Sequence, residues 1–413
     1  MRPKYILVAL IALLPLVASS AHALPEITVS WEYSYPERFY ADGAPLTIPL
    51  VGVVDTTAFV YAVDAHCNGQ TANWGKNMNF PDDSGDGFDD VDNLSAFWHS
   101  FFYCCEYYDL NLVRLGANDA WATELVYSAW VDHEAEFYEV IDAMLLEADR
   151  HGVYVELTLA GSQEYPAYDF EGTSEIWDYT HTPGTAYYNY WQYAKDVITT
   201  VDDMDNASAL FAFDAWNEPD HNSINTNYWG GDQEEFLDWA QYLANDLTPL
   251  TTKLVDLGTA GVADLWDWNF ESFYNCTGGN GFDICHWHYY ASAEDDYLVT
   301  DPLGWNASVY KPLFVGEVAN NSGDLHRWTW YEETFFANGG MALCHMVLDG
   351  TDDYPFTGEI PPHEPIPEPE PEPEPEPDEG AAATLTMGEW TMYATVGFIF
   401  AAMLIVWQSS RRS

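Results

Sequence analysis

The sequence predicts a (β/α)8 barrel, and three observations carry that prediction. Short, near-continuous runs of Val, Leu, Ile and Phe alternate with stretches of helical periodicity, the mark of a parallel sheet buried on both faces. The alternation repeats eight times in about 330 residues, which suits a closed parallel barrel. No Gly-x-Gly-x-x-Gly and no phosphate loop follows any run, which counts against a doubly wound open sheet.

The elements follow in order. Leu50–Val54, just after Pro49, is the first strand, and 92–108 is a helix leading into a second strand at 110–115. Residues 131–150 have apolar positions at helical spacing, end at His151-Gly152 and feed a third strand, 153–159. A helix at 187–201 precedes the fourth strand, 210–216, and a helix at 234–247 precedes the fifth, 254–257. Runs at 283–290 and 313–317 are the sixth and seventh strands. A helix at 326–338 and a strand at 341–347 complete the eight.

Composition narrows the function. The 413 residues include 67 Asp+Glu against 12 Lys+Arg, a formal net charge of −55. Such a surface repels nucleic acid and anionic membrane, so neither is expected as a binding partner. Hydrophobic residues make up 48% of the chain, enough for a large core. A lysine-poor carboxylate shell resembles that of proteins adapted to high salt, where screening suppresses self-repulsion. Stability is therefore expected to fall as ionic strength drops. Aromatic residues reach 16%, with 18 Trp, and some of these flat rings are expected to line a cleft.

Both ends read as export and anchoring segments. Residues 1–23 carry Arg2 and Lys4, an apolar stretch and Ala21-His22-Ala23, a signal peptide with cleavage expected before Leu24. The catalytic-sized domain is 24–358. Residues 359–380 are largely a Pro-Glu repeat, an extended, self-repelling linker. In the tail, 381–413, the uncharged segment 391–407 is long enough for one transmembrane helix, with Arg411-Arg412 kept cytoplasmic. The tail resembles the C-terminal sorting tails of prokaryotic surface proteins, so its expected partner is the membrane or a processing enzyme. The expected location is the cell surface. Six cysteines permit disulfides, with Cys285 and Cys344 in strand-like runs, and no pairing is assigned. Sequons stand at Asn93, Asn206, Asn275, Asn306 and Asn320.

The chemistry concentrates in two phrases, Phe-Asp-Ala-Trp-Asn-Glu-Pro-Asp at 213–220 and Pro-Leu-Phe-Val-Gly-Glu-Val at 312–318. Each is a β-prone run stopping at one glutamate, Glu218 and Glu317. Their separation, 317 − 218 = 99 residues, leaves room for about three strand–helix units. A carboxylate at the mouth of each of two buried strands is the layout two-carboxylate sugar hydrolysis needs. Arg114, Asn217, His288 and Tyr290 fall at strand ends on the same rim. Separately, Asp82, Ser84, Asp86 and Asp90 occupy positions 1, 3, 5 and 9 of a calcium-loop pattern, with Gly87 at the turn. Position 12 is Asn93 rather than a bidentate Glu. No cofactor is expected beyond such a structural calcium.

These phrases, with Asn-Leu-Val-Arg-Leu-Gly at 111–116, Trp-Asn-Glu-Pro at 216–219, His-Tyr-Tyr at 288–290 and Lys-Pro-Leu-Phe-Val-Gly-Glu at 311–317, give the resemblance. Over roughly residues 38 to 350 the chain resembles glycoside hydrolases of clan A, most closely family 5, and within it β-mannanases ahead of endo-β-1,4-glucanases. The resemblance implies Glu317 as nucleophile and Glu218 as acid/base of a retaining reaction on a β-linked polysaccharide. It implies that Arg114 keeps Glu317 ionised, Asn217 donates to the substrate 2-hydroxyl, Tyr290 hydrogen-bonds Glu317, and His288 contacts substrate or positions Glu218. A monomeric catalytic domain is expected. The eighth strand departs from the pattern: Cys344 or His345 stands where many members place a Trp, leaving Trp287, Trp305 or Trp330 as candidate platforms. That departure keeps open a non-catalytic sugar-binding or structural protein, and a transglycosylase would use the same residues.

Overall fold

In the computed structural model the eight runs form eight strands: β1 (Leu50–Val54), β2 (Leu112–Gly116), β3 (Tyr154–Thr158), β4 (Leu210–Asn217), β5 (Leu254–Gly258), β6 (Cys285–Tyr290), β7 (Leu313–Ala319) and β8 (Ala342–Met346). They lie in the order β5-β4-β3-β2-β1-β8-β7-β6, with every named pairing parallel. The first strand therefore pairs with the last, Leu50 opposite Ala342 and Gly52 opposite Cys344. The seam between β5 and β6 is closed by a bridge from Thr259 to Trp287. Hydrogen bonds reinforce it, from His288 N to Thr259 O (2.9 Å) and Asp283 N to Val255 O (2.9 Å). This is the predicted barrel. The structure describes residues 23–29, 38–75, 91–118, 120–161, 170–172, 176–220, 233–260, 281–290, 311–319 and 334–346. Residues 1–22 of the predicted 1–23 signal peptide, the calcium candidates Asp82, Ser84, Asp86 and Asp90, most of the predicted 326–338 helix, Trp305, Trp330, and the predicted linker and anchor lie outside them. Among the described residues no helix is long and apolar enough to cross a membrane.

Helices α1 (Ala58–Cys67), α2 (Leu94–Tyr107), α3 (Ala120–Asp132), α4 (Glu134–His151), α5 (Ala186–Asp202) and α6 (Gln233–Leu247) are described. Asn93 caps α2 by accepting from Ala96 N (3.1 Å), and Thr185 caps α5 by accepting from Tyr188 N (3.3 Å). Helix α4 has Glu134 and Glu136 in its first turn and Arg150 and His151 in its last, matching its dipole. It stops at Gly152, whose φ of 70° suits a residue without Cβ. The single helix predicted over 131–150 is instead the end of α3 and the whole of α4. The chain breaks at His133, whose φ of −140° and ψ of 44° are not helical, and a new acidic first turn follows. Helix α1 was not predicted because seven of its ten residues are buried, so its sequence lacks a polar stripe.

Alternation along the strands sorts the barrel into two cores. Outward side chains such as Val51, Val53, Val113, Val155 and Leu157 join the core shared with the helices. Inward side chains at the strand starts, among them Leu50, Leu112, Tyr154, Leu254 and Phe314, form a second apolar cluster with Ile27 and Phe39. The latter two belong to or flank a small antiparallel ribbon of Ile27–Thr28, Tyr40–Ala41 and Ala44–Pro45. That ribbon seals the barrel at its N-terminal end. Towards the C-terminal rim the inward positions turn from apolar to charged.

One expectation for the sugar platform is corrected here. Trp287 is 1% exposed and belongs to the outer core, because on β6 it alternates with the inward His286 and His288. It cannot present a ring to the cleft. Cys344 faces the barrel interior in the apolar cluster, and His345 is 7% exposed, so neither supplies a flat open surface. Cys67, Cys104, Cys105, Cys285 and Cys344 are buried thiols, so the described cysteines form no disulfide framework.

Candidate active site

The rim holds one cation among several acids. Arg114, inward-facing on β2 and fully buried, reaches three strands. Its Nη1 donates to Glu317 Oε1 on β7 (2.6 Å), and its Nη2 donates to Asp214 Oδ2 (2.5 Å) and Asn217 Oδ1 (2.8 Å) on β4. Its Nε lies 3.1 Å from Glu156 Oε2 on β3. Burial by itself would lower the guanidinium pKa, yet Asp214, Glu156 and Glu317 together lift it above its ordinary value. The cation is thus permanent, and Glu317 sits against it. Asp214 is fixed in turn by Thr158 Oγ1 (3.1 Å) and the amides of Trp216 (3.2 Å) and Gly258 (2.9 Å).

Glycines make this packing possible. A Cβ on Gly258 would come within 3.1 Å of both Arg114 Nη2 and Asp214 Oδ2. A Cβ on Gly316 would overlap the His286 ring at 1.8 Å. The Val-Gly-Glu phrase before Glu317 therefore reflects room for a histidine.

Glu218 follows β4 directly and is 3% exposed. Its φ is 52°, a left-handed conformation costly for a residue with a Cβ, by about 1–3 kcal/mol. Its amide donates to Gly258 O (2.7 Å), which holds that turn. Such strain is typical of functional positions. Asn217 beside it accepts from Arg114 and donates one amide hydrogen to Asn118 O (3.0 Å).

His288 stands between the two glutamates. Its Nδ1 is 2.8 Å from Glu218 Oε1 and 3.4 Å from Glu317 Oε2. One carboxylate oxygen of each glutamate and this nitrogen lie within 4.8 Å of one another. Burial, then the charge of Arg114 and the neighbouring His286, outweigh the pull of Glu317 and hold the His288 pKa well below normal, so the ring is neutral.

The partners fix the tautomers along a buried chain. Nδ1 of His288 faces two carboxylates, so it carries the hydrogen and Nε2 is left as an acceptor. His286 Nε2, 3.2 Å away, must then donate to it. Burial, then the charge of Arg114, lower the His286 pKa to about 3, so that ring is neutral too and its Nδ1 is an acceptor. Nδ1 lies 3.1 Å from Glu156 Oε1 and 3.2 Å from Asp256 Oδ1. One of these two carboxyls must therefore be protonated. Burial raises both pKa values, and the neighbouring Glu156 lifts that of Asp256 further. A hydrogen-bonded line thus runs from the Glu156–Asp256 pair through His286 and His288 to Glu218. It pins Oε1 of Glu218.

Of the predicted site residues, Glu218, Glu317, Arg114, Asn217 and His288 converge, with His288 Nδ1 2.8 Å from Glu218 Oε1. Tyr290 is the last residue of β6, in register with Ala319. Sequence reasoning missed Glu156, Asp214, Asp256, His286 and Asp220. The signal was present: Val-Glu-Leu, Phe-Asp-Ala and Val-Asp-Leu each place a single acid in an otherwise apolar strand.

Asp220, two residues past Glu218, is fully buried and accepts from Ala260 N (2.8 Å). Burial, opposed by that hydrogen bond and reinforced by the Glu218 charge, pushes its pKa up to about 7. The folded state then keeps a proton that the unfolded chain releases above about pH 4, so this group costs stability as pH rises from about 4 to about 7. Asp220→Asn should therefore gain on the parent by about 1.4 kcal/mol per pH unit across that window, and no further above it. Denaturant unfolding of both proteins from pH 4 to 8 measures the gap. A gap that does not change with pH would contradict the assignment.

No family model and no curated protein matches the sequence. The fold does have solved counterparts. An endo-1,4-beta-mannanase from Rhizomucor miehei superposes with a TM-score of 0.53 at 13% identity, covering 78% of this chain and 90% of that one. The endo-1,4-beta-mannanase from Eisenia fetida gives 0.51 at 12%, covering 80% and 91%. The beta-1,4-D-mannanase from Cryptopygus antarcticus gives 0.51 at 15%, covering 80% and 90%. What they share with this chain is the barrel.

Proposed function

We propose that this protein is a retaining glycoside hydrolase that cleaves β-linked polysaccharide in an endo fashion, with β-mannan the first substrate and β-glucan the next. The observation that carries the proposal is the pair of buried carboxyl groups at the rim, oxygens within 4.8 Å of each other, one of them against a permanent cation. A retaining pair stands ~5–5.5 Å apart and an inverting pair ~6.5–9.5 Å. Glu317, paired with Arg114 at 2.6 Å, attacks the anomeric carbon. Glu218 protonates the departing oxygen and then deprotonates the water that releases the sugar. Structural likeness to three mannanases favours mannan, although it speaks to fold alone.

The wider proposal is an exported enzyme, monomeric in its catalytic domain. It is held at the cell surface by the 391–407 segment or by processing of the tail, with a structural calcium at Asp82, Ser84, Asp86 and Asp90. A panel of soluble mannan, glucan and xylan, assayed at several salt concentrations, tests the substrate. Mannan should release oligosaccharides fastest, and activity should grow with salt. Absence of reducing ends from all three polysaccharides at every salt concentration would contradict the reading.

A further inference from the structure

A second cluster of metal-ligating side chains lies on the barrel's flank. His99 sits on α2, and Glu147 and His151 sit one turn apart on α4. His151 closes α4, three residues before β3 begins, so the cluster is at the strand N-termini, the end away from Glu218 and Glu317. His99 Nδ1 is 3.2 Å from His151 Nε2 and 3.3 Å from Glu147 Oε2, and the latter two are 3.8 Å apart. Three ligand atoms at bond lengths of 2.0–2.1 Å around a tetrahedral ion stand about 3.3–3.4 Å from one another. The triangle already has that size.

The surroundings match as well. Glu106 Oε2 lies 2.6 Å from His151 Nδ1, so that nitrogen carries the hydrogen and Nε2 turns its lone pair into the triangle. A carboxylate behind a ligating histidine is the usual outer support of a zinc ligand. Arg150 pairs with the other oxygen of Glu147, Oε1, leaving Oε2 as a single ligand atom. Glu147 is 3% exposed and His151 9%, whereas His99 is 60% exposed and opens the fourth position to water. Two imidazoles and one carboxylate select a zinc-class ion over magnesium or calcium, which prefer oxygen ligands throughout.

We propose that His99, Glu147 and His151 form a binding site for one zinc-class divalent ion, which staples α2 to α4 at the base of the barrel. Without the ion, His99 Nδ1–H would simply bridge His151 Nε2 and Glu147, a plain hydrogen-bonded cluster. The two cases differ in what they predict.

Cobalt(II) titration of the full-length protein, with excess magnesium to occupy surface carboxylates, should show the visible absorption of a tetrahedral site. One ion should bind per chain and be displaced by zinc. His99→Gln, at a largely exposed position where folding is not at risk, should abolish that spectrum, as should His151→Gln. Glu106→Gln should weaken cobalt binding about 10–100-fold. At a zinc concentration a hundredfold above Kd, the melting temperature should rise by about 5 °C in the parent and not in His99→Gln. Activity on polysaccharide should be the same in His99→Gln as in the parent, which separates this site from the rim. Cobalt binding with the same stoichiometry and spectrum in the parent and in His99→Gln would overturn the proposal. So would a parent that shows no tetrahedral spectrum.

Discussion

Glu317→Ala should reduce turnover to background, a loss on the order of 10^6-fold for removal of a nucleophile, while Glu218→Ala should retain part of its chemistry. The difference follows from their surroundings. Glu317 lies against Arg114 at 2.6 Å and is the attacking group of the proposed mechanism, in which no substrate compensates for its loss. Glu218 moves a proton, worth about 10^2–10^4-fold, and a good leaving group needs little of that help. With an activated aryl glycoside, Glu218→Ala should therefore form the glycosyl-enzyme at a rate near the parent's and stall at hydrolysis, giving a burst. Pre-steady-state release of the aryl group measures this. Equal losses in both variants on aryl glycoside and on polysaccharide would overturn the division of roles. Circular dichroism must show both variants folded, which is expected because each residue sits at the rim rather than in the apolar cores.

The largest stability effect should come from Arg114→Met. The side chain fits the volume but leaves Glu156, Asp214 and Glu317 buried without their cation. Removing one partner of a buried ion network costs about 3–5 kcal/mol, because uncompensated charges remain. The sign with pH is definite. Carboxyls without Arg114 have their folded pKa values raised, so the penalty is greatest at high pH and shrinks as they protonate at low pH. Chemical denaturation at pH 5 and pH 8 should show the variant's deficit growing with pH. A variant as stable as the parent at pH 8 would mean that the guanidinium does not hold these acids together.

The barrel was legible because strands buried on both faces leave near-continuous apolar runs, broken by a single acid in each of Leu210–Asn217 and Leu313–Ala319. The missed helices lacked the usual contrast: α1 is buried nearly all round, and α3 runs into α4 with only His133 between them. Glu218 and Glu317 were visible because each interrupts an apolar phrase of the sequence, Glu218 just past β4 and Glu317 near the end of β7. Asp214, Glu156 and Asp256 were not, since a single acid in a strand does not say which acids share one interior. That follows from register, with Arg114 opposite Glu156 and Asp214 opposite Asp256. Trp287 shows the converse. Composition suggested a sugar platform, and alternation on β6 turned the ring away. Proton positions were beyond any sequence pattern, because the His288 tautomer depends on two carboxylates from strands far apart in the chain.

The most direct test of the central claim is the anomeric configuration of the first product. Glu218 and Glu317 are bridged by one nitrogen of His288, their oxygens within 4.8 Å, and the proposed retaining mechanism needs such a close pair. In that mechanism attack comes from Glu317, and two inversions restore the starting configuration. Proton NMR of the anomeric signals early in hydrolysis of a β-linked oligosaccharide, before mutarotation, should show the β anomer first. The α anomer appearing first would require carboxyl groups ~6.5–9.5 Å apart in the working enzyme and would contradict the nucleophilic role of Glu317.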